Sequence, residues 1–117
     1  KGAYVMPTIF SNVTPDMAVA REEIFGPVLC IMPYETFDDA IAMANDTVYG
    51  LSSAVYAKSK EEALSIAMKL KAGQCLIQGA YFNTDAPFGG YKQSGNGREW
   101  GAEGLHEYTE TKAIIVQ

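Results

Sequence analysis

Apolar residues recur along this chain at two spacings, and the spacing changes from segment to segment. Short β-prone runs at residues 5–10, 28–34, 53–57 and 74–78 read as strands. Pro7 belongs at the start or edge of the first, and the run 28–34 is apolar enough to be a buried strand. The polar stretch 12–15 breaks the chain after the first strand. Elsewhere apolar positions fall three and four apart: Phe37, Ala40, Ile41 and Ala44 make one face of a helix over 37–45 that Thr36 caps. Ala63, Ile66, Ala67 and Leu70 make the face of another. Ser59 and Glu62 form a capping box at its start, hydroxyl and carboxylate each taking an orphan backbone amide, and Gly73 stands where a left-handed C-terminal cap would fall.

This alternation of strand and helix predicts an α/β fold, a mainly parallel sheet flanked by helices with right-handed crossovers. After Gly79 the texture changes to a long glycine-rich loop, a feature more often functional than idle. A short helix is expected within 98–107. The tail 111–117 is β-prone with no partner nearby in sequence, so it pairs with a distant strand or with another subunit.

Composition narrows the function classes. With 48% hydrophobic and 20% charged residues the chain matches an average folded protein with a modest core. Its longest unbroken apolar stretch, residues 28–32, is far too short to span a membrane. A net charge of −5, with nine basic residues scattered, argues against a nucleic-acid surface. Cys30 and Cys75 each sit inside an apolar run, which fits a reducing, cytoplasmic setting better than a disulfide framework. The single histidine, His106, has no partner at ligand spacing, so no metal site is expected.

Two segments could carry chemistry. Glu22-Glu23-Ile24-Phe25-Gly26-Pro27 sets two carboxylates and a ring on a turn leading into a strand. A carboxylate there could accept hydrogen bonds from sugar hydroxyls while the ring covers a planar base. The alternative is a solvated glutamate pair beside a core phenylalanine. In the second segment, Ala86-Pro87-Phe88-Gly89-Gly90-Tyr91-Lys92-Gln93-Ser94-Gly95-Asn96-Gly97-Arg98-Glu99, Phe88 and the preceding Phe82 are spaced to line an apolar channel on a flexible loop. Gly89-Gly90 and Gly95-Asn96-Gly97 would permit backbone angles closed to other residues. Alternatively both rings plug the loop onto the core. The loop lacks the spacing of a phosphate cradle.

In composition, order and separation these two segments resemble the last quarter of the aldehyde dehydrogenase superfamily chain, and the resemblance covers nearly the whole sequence. It implies part of an NAD(P)-dependent oxidoreductase that converts an aldehyde to a carboxylic acid. In that family a cysteine thiolate attacks the aldehyde, hydride passes to the nicotinamide, and a glutamate-activated water releases the acid. The family's nucleophile and dinucleotide-binding domain correspond to no part of this chain, so no catalytic residue is assigned here and the chain alone is expected to be inactive. Residues 1–107 would be the later part of the catalytic domain and 108–117 an oligomerisation strand.

Residue by residue, the resemblance places Glu23 on the ribose of the nicotinamide half of NAD or NADP, which is otherwise held by residues outside this chain, and Phe25 against the nicotinamide. Phe82 and Phe88 become walls of the aldehyde tunnel, with Glu99 near its mouth as a proton relay. Glu110, in Tyr108-Thr109-Glu110-Thr111-Lys112, would bond Arg98 and an arginine of a neighbouring subunit, making a homo-oligomer, dimer or tetramer, with neither nucleic acid nor membrane as partner. Where many members carry Trp-Val-Asn this chain has Leu76-Ile77-Gln78, so the preferred aldehyde is not implied. Gly73-Gln74-Cys75 is one residue short of the family's Gly-Gln-x-Cys nucleophile motif, and Cys75 is read as structural. The competing reading is a non-catalytic interaction module that self-associates through bare strand edges.

Overall fold

The computed structural model describes residues 2–117, which divide into two compact units with the boundary after Met43. In the first, β1 (Thr8–Phe10) and β2 (Val28–Cys30) pair in parallel, Thr8 opposite Val28 and Phe10 opposite Cys30. They are linked through α1 (Ala18–Arg21), a single turn too short to show a sequence period. Pro7 directly precedes β1, where its missing N–H costs no ladder bond. The strand expected over 28–34 ends at Cys30 and is not buried: Leu29 is exposed, and among the described residues β2 has β1 as its one strand neighbour. Pro33, with no N–H to give, prevents the ladder from going on.

Helix α2 (Phe37–Asn45) lies where the spacing predicts. Thr36 and Asp39 cap it reciprocally: the Asp39 amide donates to the Thr36 hydroxyl (3.2 Å) and the Thr36 amide to the Asp39 carboxylate (3.0 Å). Its apolar face is only partly covered: Ala40 and Ile41 are half-buried, while Phe37 and Ala44 are exposed.

In the second unit β3 (Ser52–Val55), α3 (Lys60–Ala67) and β4 (Gln74–Ile77) form a parallel strand-helix-strand unit, with Ser52 opposite Gln74 and Val55 opposite Ile77. Ala63, 0% exposed, is where α3 meets the strand pair, and Val55 is buried with it. The Glu62 amide donates to Ser59 Oγ (3.2 Å) as expected of the cap. The Glu62 carboxylate, however, takes the amide of Lys58 (3.0 Å), one residue before the cap. The helix closes with tightened bonds from Lys69 to Ile66 and from Leu70 to Ala67, which leaves Leu70 beyond its end.

Gly73 is no left-handed cap. It is absent from the positive-φ residues, and its lack of a side chain serves a different purpose described below. The expected single sheet is likewise two separate parallel pairs, β1–β2 and β3–β4. A 3-10 turn (Lys92–Ser94) and α4 (Gly101–His106) follow, the latter inside the segment predicted for it, and residues 111–117 belong to no strand. The chain exposes 9611 Å², against about 6,200 Å² for a self-contained protein of its mass. The α/β pattern is therefore formed while most of its apolar faces, such as Leu29, Phe37 and Leu64, stay open.

Candidate functional site

The glycine-rich loop is held by contacts that only glycine permits. A Cβ on Gly73 would lie 1.6 Å from the carbonyl oxygen of Gly89, one on Gly89 2.5 Å from that of Gly97, and one on Gly90 2.5 Å from the Ser94 side chain. None of the three has a positive φ, so Gly89-Gly90 supply room for close backbone approach rather than the unusual angles expected of them. Gly95 (φ 129°) and Gly97 (φ 74°) do supply such angles.

The loop is also not flexible in the sense expected. Tyr91 and Gln93 donate their amides to the carbonyls of Gly50 (2.8 Å) and Val48 (2.9 Å), and the Gly50 amide donates to Ser94 Oγ (2.9 Å). Lys92 Nζ donates to the carbonyls of Asn45 (2.8 Å) and Thr47 (2.9 Å), which commits its charge to the backbone. Asn45 in turn clasps the α3–β4 connection, Nδ2 donating to the Lys69 carbonyl and Oδ1 accepting from the Lys71 amide. No sequence motif marks Lys92 or Asn45 for these tasks, since their partners lie more than twenty residues away.

On this frame Phe88 and Glu99 form an antiparallel bridge, each amide donating to the other's carbonyl at 2.7 Å. The Phe88 ring meets Phe82 edge-on with centroids 6.3 Å apart, and meets Trp100 at 5.0 Å and 33°. Phe88 is half-buried, while Phe82 remains 58% exposed, so only the first approaches the plugged state weighed from sequence. A cleft of about 360 Å³ opens beside Phe88, Arg98, Glu99, Glu107 and Tyr108. Trp100, unmarked in the sequence, sits at φ 63°, a backbone state that costs on the order of 1–3 kcal/mol in a non-glycine residue.

Arg98 Nη1 donates to the carbonyls of Gly90 (3.1 Å) and Gly97 (2.6 Å), and its guanidinium stands 5.4 Å from the Tyr91 ring centre. Among the described residues it makes no bond to Glu110, which is exposed; the two are not brought together within this chain. Cys75 is half-buried in β4 opposite Ser53, and Cys30 is half-buried with its thiol directed at the Val19 carbonyl (3.5 Å). Among the described residues no group of three or more His, Cys, Asp or Glu side chains could hold a metal ion. None of their helices is long and apolar enough to cross a membrane.

Glu23 and Phe25 lie in the first unit, on the turn ahead of β2. The Gly26 amide closes onto the Ile24 carbonyl (2.7 Å), and the Pro27 carbonyl accepts from Thr8 (2.9 Å), tying the turn to β1. This puts the hexapeptide at the amino end of β2, whereas ligands in open α/β sheets usually gather at carboxyl ends. Phe25 is 97% exposed, so it is not a core residue of its unit, and Glu23 beside it is exposed too. A bare aromatic face two residues from a free carboxylate suits a ligand with both a planar ring and hydroxyls.

The family model described as the aldehyde dehydrogenase family matches residues 1–114. Among relatives, the chain is 54% identical over 114 residues to a 3-succinoylsemialdehyde-pyridine dehydrogenase of Pseudomonas sp, covering 97% of this chain and 24% of that protein. It is 49% identical over 118 residues to aldehyde dehydrogenase 1A1 of Homo sapiens, covering 100% of this chain and 24% of the relative. Its fold superposes with a TM-score of 0.93, at 55% identity, on a mutant aldehyde dehydrogenase C of Pseudomonas syringae solved with NAD+ and octanal, covering 97% of this chain and 24% of that one. The chain thus spans about a quarter of the length of each of these three proteins.

Proposed function

Because this chain belongs to the aldehyde dehydrogenase family, we propose that it is part of an NAD(P)-dependent enzyme oxidising an aldehyde to a carboxylic acid. NAD is the preferred cofactor, since similar structures were solved with NAD+. The observation that carries the cofactor assignment is the exposed pair on the β2 turn: Glu23 accepts hydrogen bonds from ribose hydroxyls, and Phe25 offers its face to the nicotinamide. The cofactor, when bound, supplies the hydride acceptor.

On the substrate side, Phe82 and Phe88 shield the aldehyde from water, and Glu99, whose backbone is locked to Phe88, relays protons at the tunnel mouth. The protein is assigned to the cytoplasm, a reducing compartment in keeping with its two free thiols. The complete polypeptide carrying these residues, mixed with NAD+ and an aldehyde, is expected to form one reduced nicotinamide per carboxylate. Residues 1–117 alone are expected to form none, because they span about a quarter of the matched dehydrogenases and no part of them corresponds to the family's nucleophile. Turnover by the short chain, or none by the complete one with any aldehyde of a broad panel, would sink this reading.

The working protein is also a homo-oligomer in this reading. Ile114, Ile115 and Val116 are exposed on a tail that pairs with no strand among the described residues, as suits a segment added to another subunit's sheet edge. Arg98 uses Nη1 on its own loop, and its remaining donors suit the carboxylate of a second subunit's Glu110. Ile115→Lys in the complete polypeptide is expected to shift the assembly to smaller species in size exclusion with light scattering. An unchanged mass would remove the tail from the interface.

A further inference from the structure

In the second unit the Phe88 ring touches two others, and the backbones of the three are held very differently. Phe82 meets Phe88 edge-on at 6.3 Å, and Phe88 meets Trp100 at 5.0 Å. Phe82 is largely exposed and follows Tyr81, which is more exposed still. Phe88 is fixed at both amide and carbonyl by Glu99, so its ring can change position only by rotating its side chain. One side of that rotation is closed by the Trp100 indole. The only tryptophan of the chain is therefore the backstop of a wall residue.

We infer that Trp100 is a positioning residue for substrate selection: by backing the Phe88 ring it sets the width of the aldehyde path and the preference among apolar aldehydes of different bulk. This rests on the aldehyde-oxidising reading above. The geometry that makes Trp100 a fixed backstop is its own backbone. It follows Glu99, paired to Phe88, and precedes Gly101, whose amide donates to the Thr84 carbonyl (3.1 Å). A Cβ on Gly101 would stand 2.9 Å from the Asp85 carbonyl oxygen, so the loop carrying Phe82 and the start of α4 are in direct contact. Held on both sides, Trp100 keeps φ 63°, a conformation in which the residue cannot draw back without breaking the Phe88 bridge or the Thr84 contact.

A residue that merely fills space would, when removed, weaken the fold and slow all aldehydes alike. A backstop acts on the ratio between them. The test is made in the complete polypeptide with propanal, hexanal, octanal and benzaldehyde as substrates. Trp100→Gly removes the ring while suiting the positive φ, and frees Phe88 to swing back. The kcat/KM of benzaldehyde relative to propanal is expected to rise on the order of tenfold, through the aldehyde KM, the scale on which apolar pockets discriminate size. The KM for NAD+ stays unchanged, and Trp100→Phe returns most of the original ratio.

Phe88→Ala serves as the control for the wall itself. If Phe88→Ala shifts the ratio and Trp100→Gly leaves it within about twofold, well under the discrimination expected of such a pocket, the role of Trp100 is overturned. If Phe88→Ala leaves it unmoved, the tunnel-wall reading falls and this inference with it, whereas no oxidation by the unmodified protein would defeat the enzyme reading. Should Trp100→Gly not fold, Trp100→Leu carries the same comparison.

Discussion

Gly73→Ala is expected to destabilise the protein by on the order of 4 kcal/mol, at the upper end of what a single overpacked atom does. The new Cβ would sit 1.6 Å from the Gly89 carbonyl oxygen and 2.8 Å from its carbon, with the Leu51 carbonyl oxygen 3.4 Å away. These are backbone atoms on both sides of the contact, so no side chain can rotate to make room. Relief requires moving either the start of β4, which would break the Gly73–Gly50 and Gln74–Leu51 bonds, or the loop just after Phe88. The substitution should therefore lower the urea midpoint and also disturb the aldehyde preference.

Gly95→Ala is the informative comparison. It has φ 129° but nothing within 4 Å of its would-be Cβ, so it bears backbone strain alone, about 1–2 kcal/mol. If the two substitutions cost the same, close approach at Gly73 is not what its lack of a side chain provides.

Glu23→Gln is expected to weaken NAD+ binding by about 10- to 100-fold, the loss of charge-assisted hydrogen bonds of roughly 1.5–3 kcal/mol to the ribose hydroxyls. Glutamine keeps the shape and one acceptor, so the change reports the charge. Glu23 is exposed and makes no bond among the described residues, and Phe25 beside it is exposed as well. The thermal midpoint without cofactor should consequently stay where it is. Isothermal titration of NAD+ into the complete polypeptide measures the effect directly. A change of less than about twofold, far below that range, would take Glu23 off the cofactor. Phe25→Ala should act in the same direction with the same neutral effect on folding, since a fully exposed ring stabilises nothing in its own unit.

Local elements were legible in the sequence wherever their causes are local. The helix over Phe37–Asn45 was legible because Thr36 caps its start and its apolar positions recur three and four apart. The Ser59 cap and the turn at Gly26-Pro27 were readable for a like reason, their bonds closing within a few residues. The family resemblance, resting on two long segments, named Phe82, Phe88, Arg98 and Glu99, and the fold does gather these around one loop.

Illegible were the features whose partner lies far along the chain. Gly73 looks like a helix cap when seen beside α3, yet its neighbour is sixteen residues further on. Trp100 looks like an ordinary residue of a short helix, and becomes a backstop only once the Phe88–Glu99 bridge folds it onto a ring. Lys92 and Asn45 carry no motif and yet hold the loop.

By itself, then, the sequence determined the family, the α/β alternation and the N-terminal caps of α2 and α3, and it named the residues proposed to meet cofactor and aldehyde. All of these follow from spacing and side-chain chemistry within a turn or two, or from segments too distinctive to be accidental. Only the tertiary structure decided that the strands pair two by two, that Gly89-Gly90 provide room rather than angles, that Phe25 is bare, and that Trp100 stands behind Phe88. The physical reason is the range of the forces involved. Capping and periodicity act between neighbours in sequence, whereas close packing acts between atoms brought together by the whole fold, and a steric contact has no signature in either segment until the two are in place.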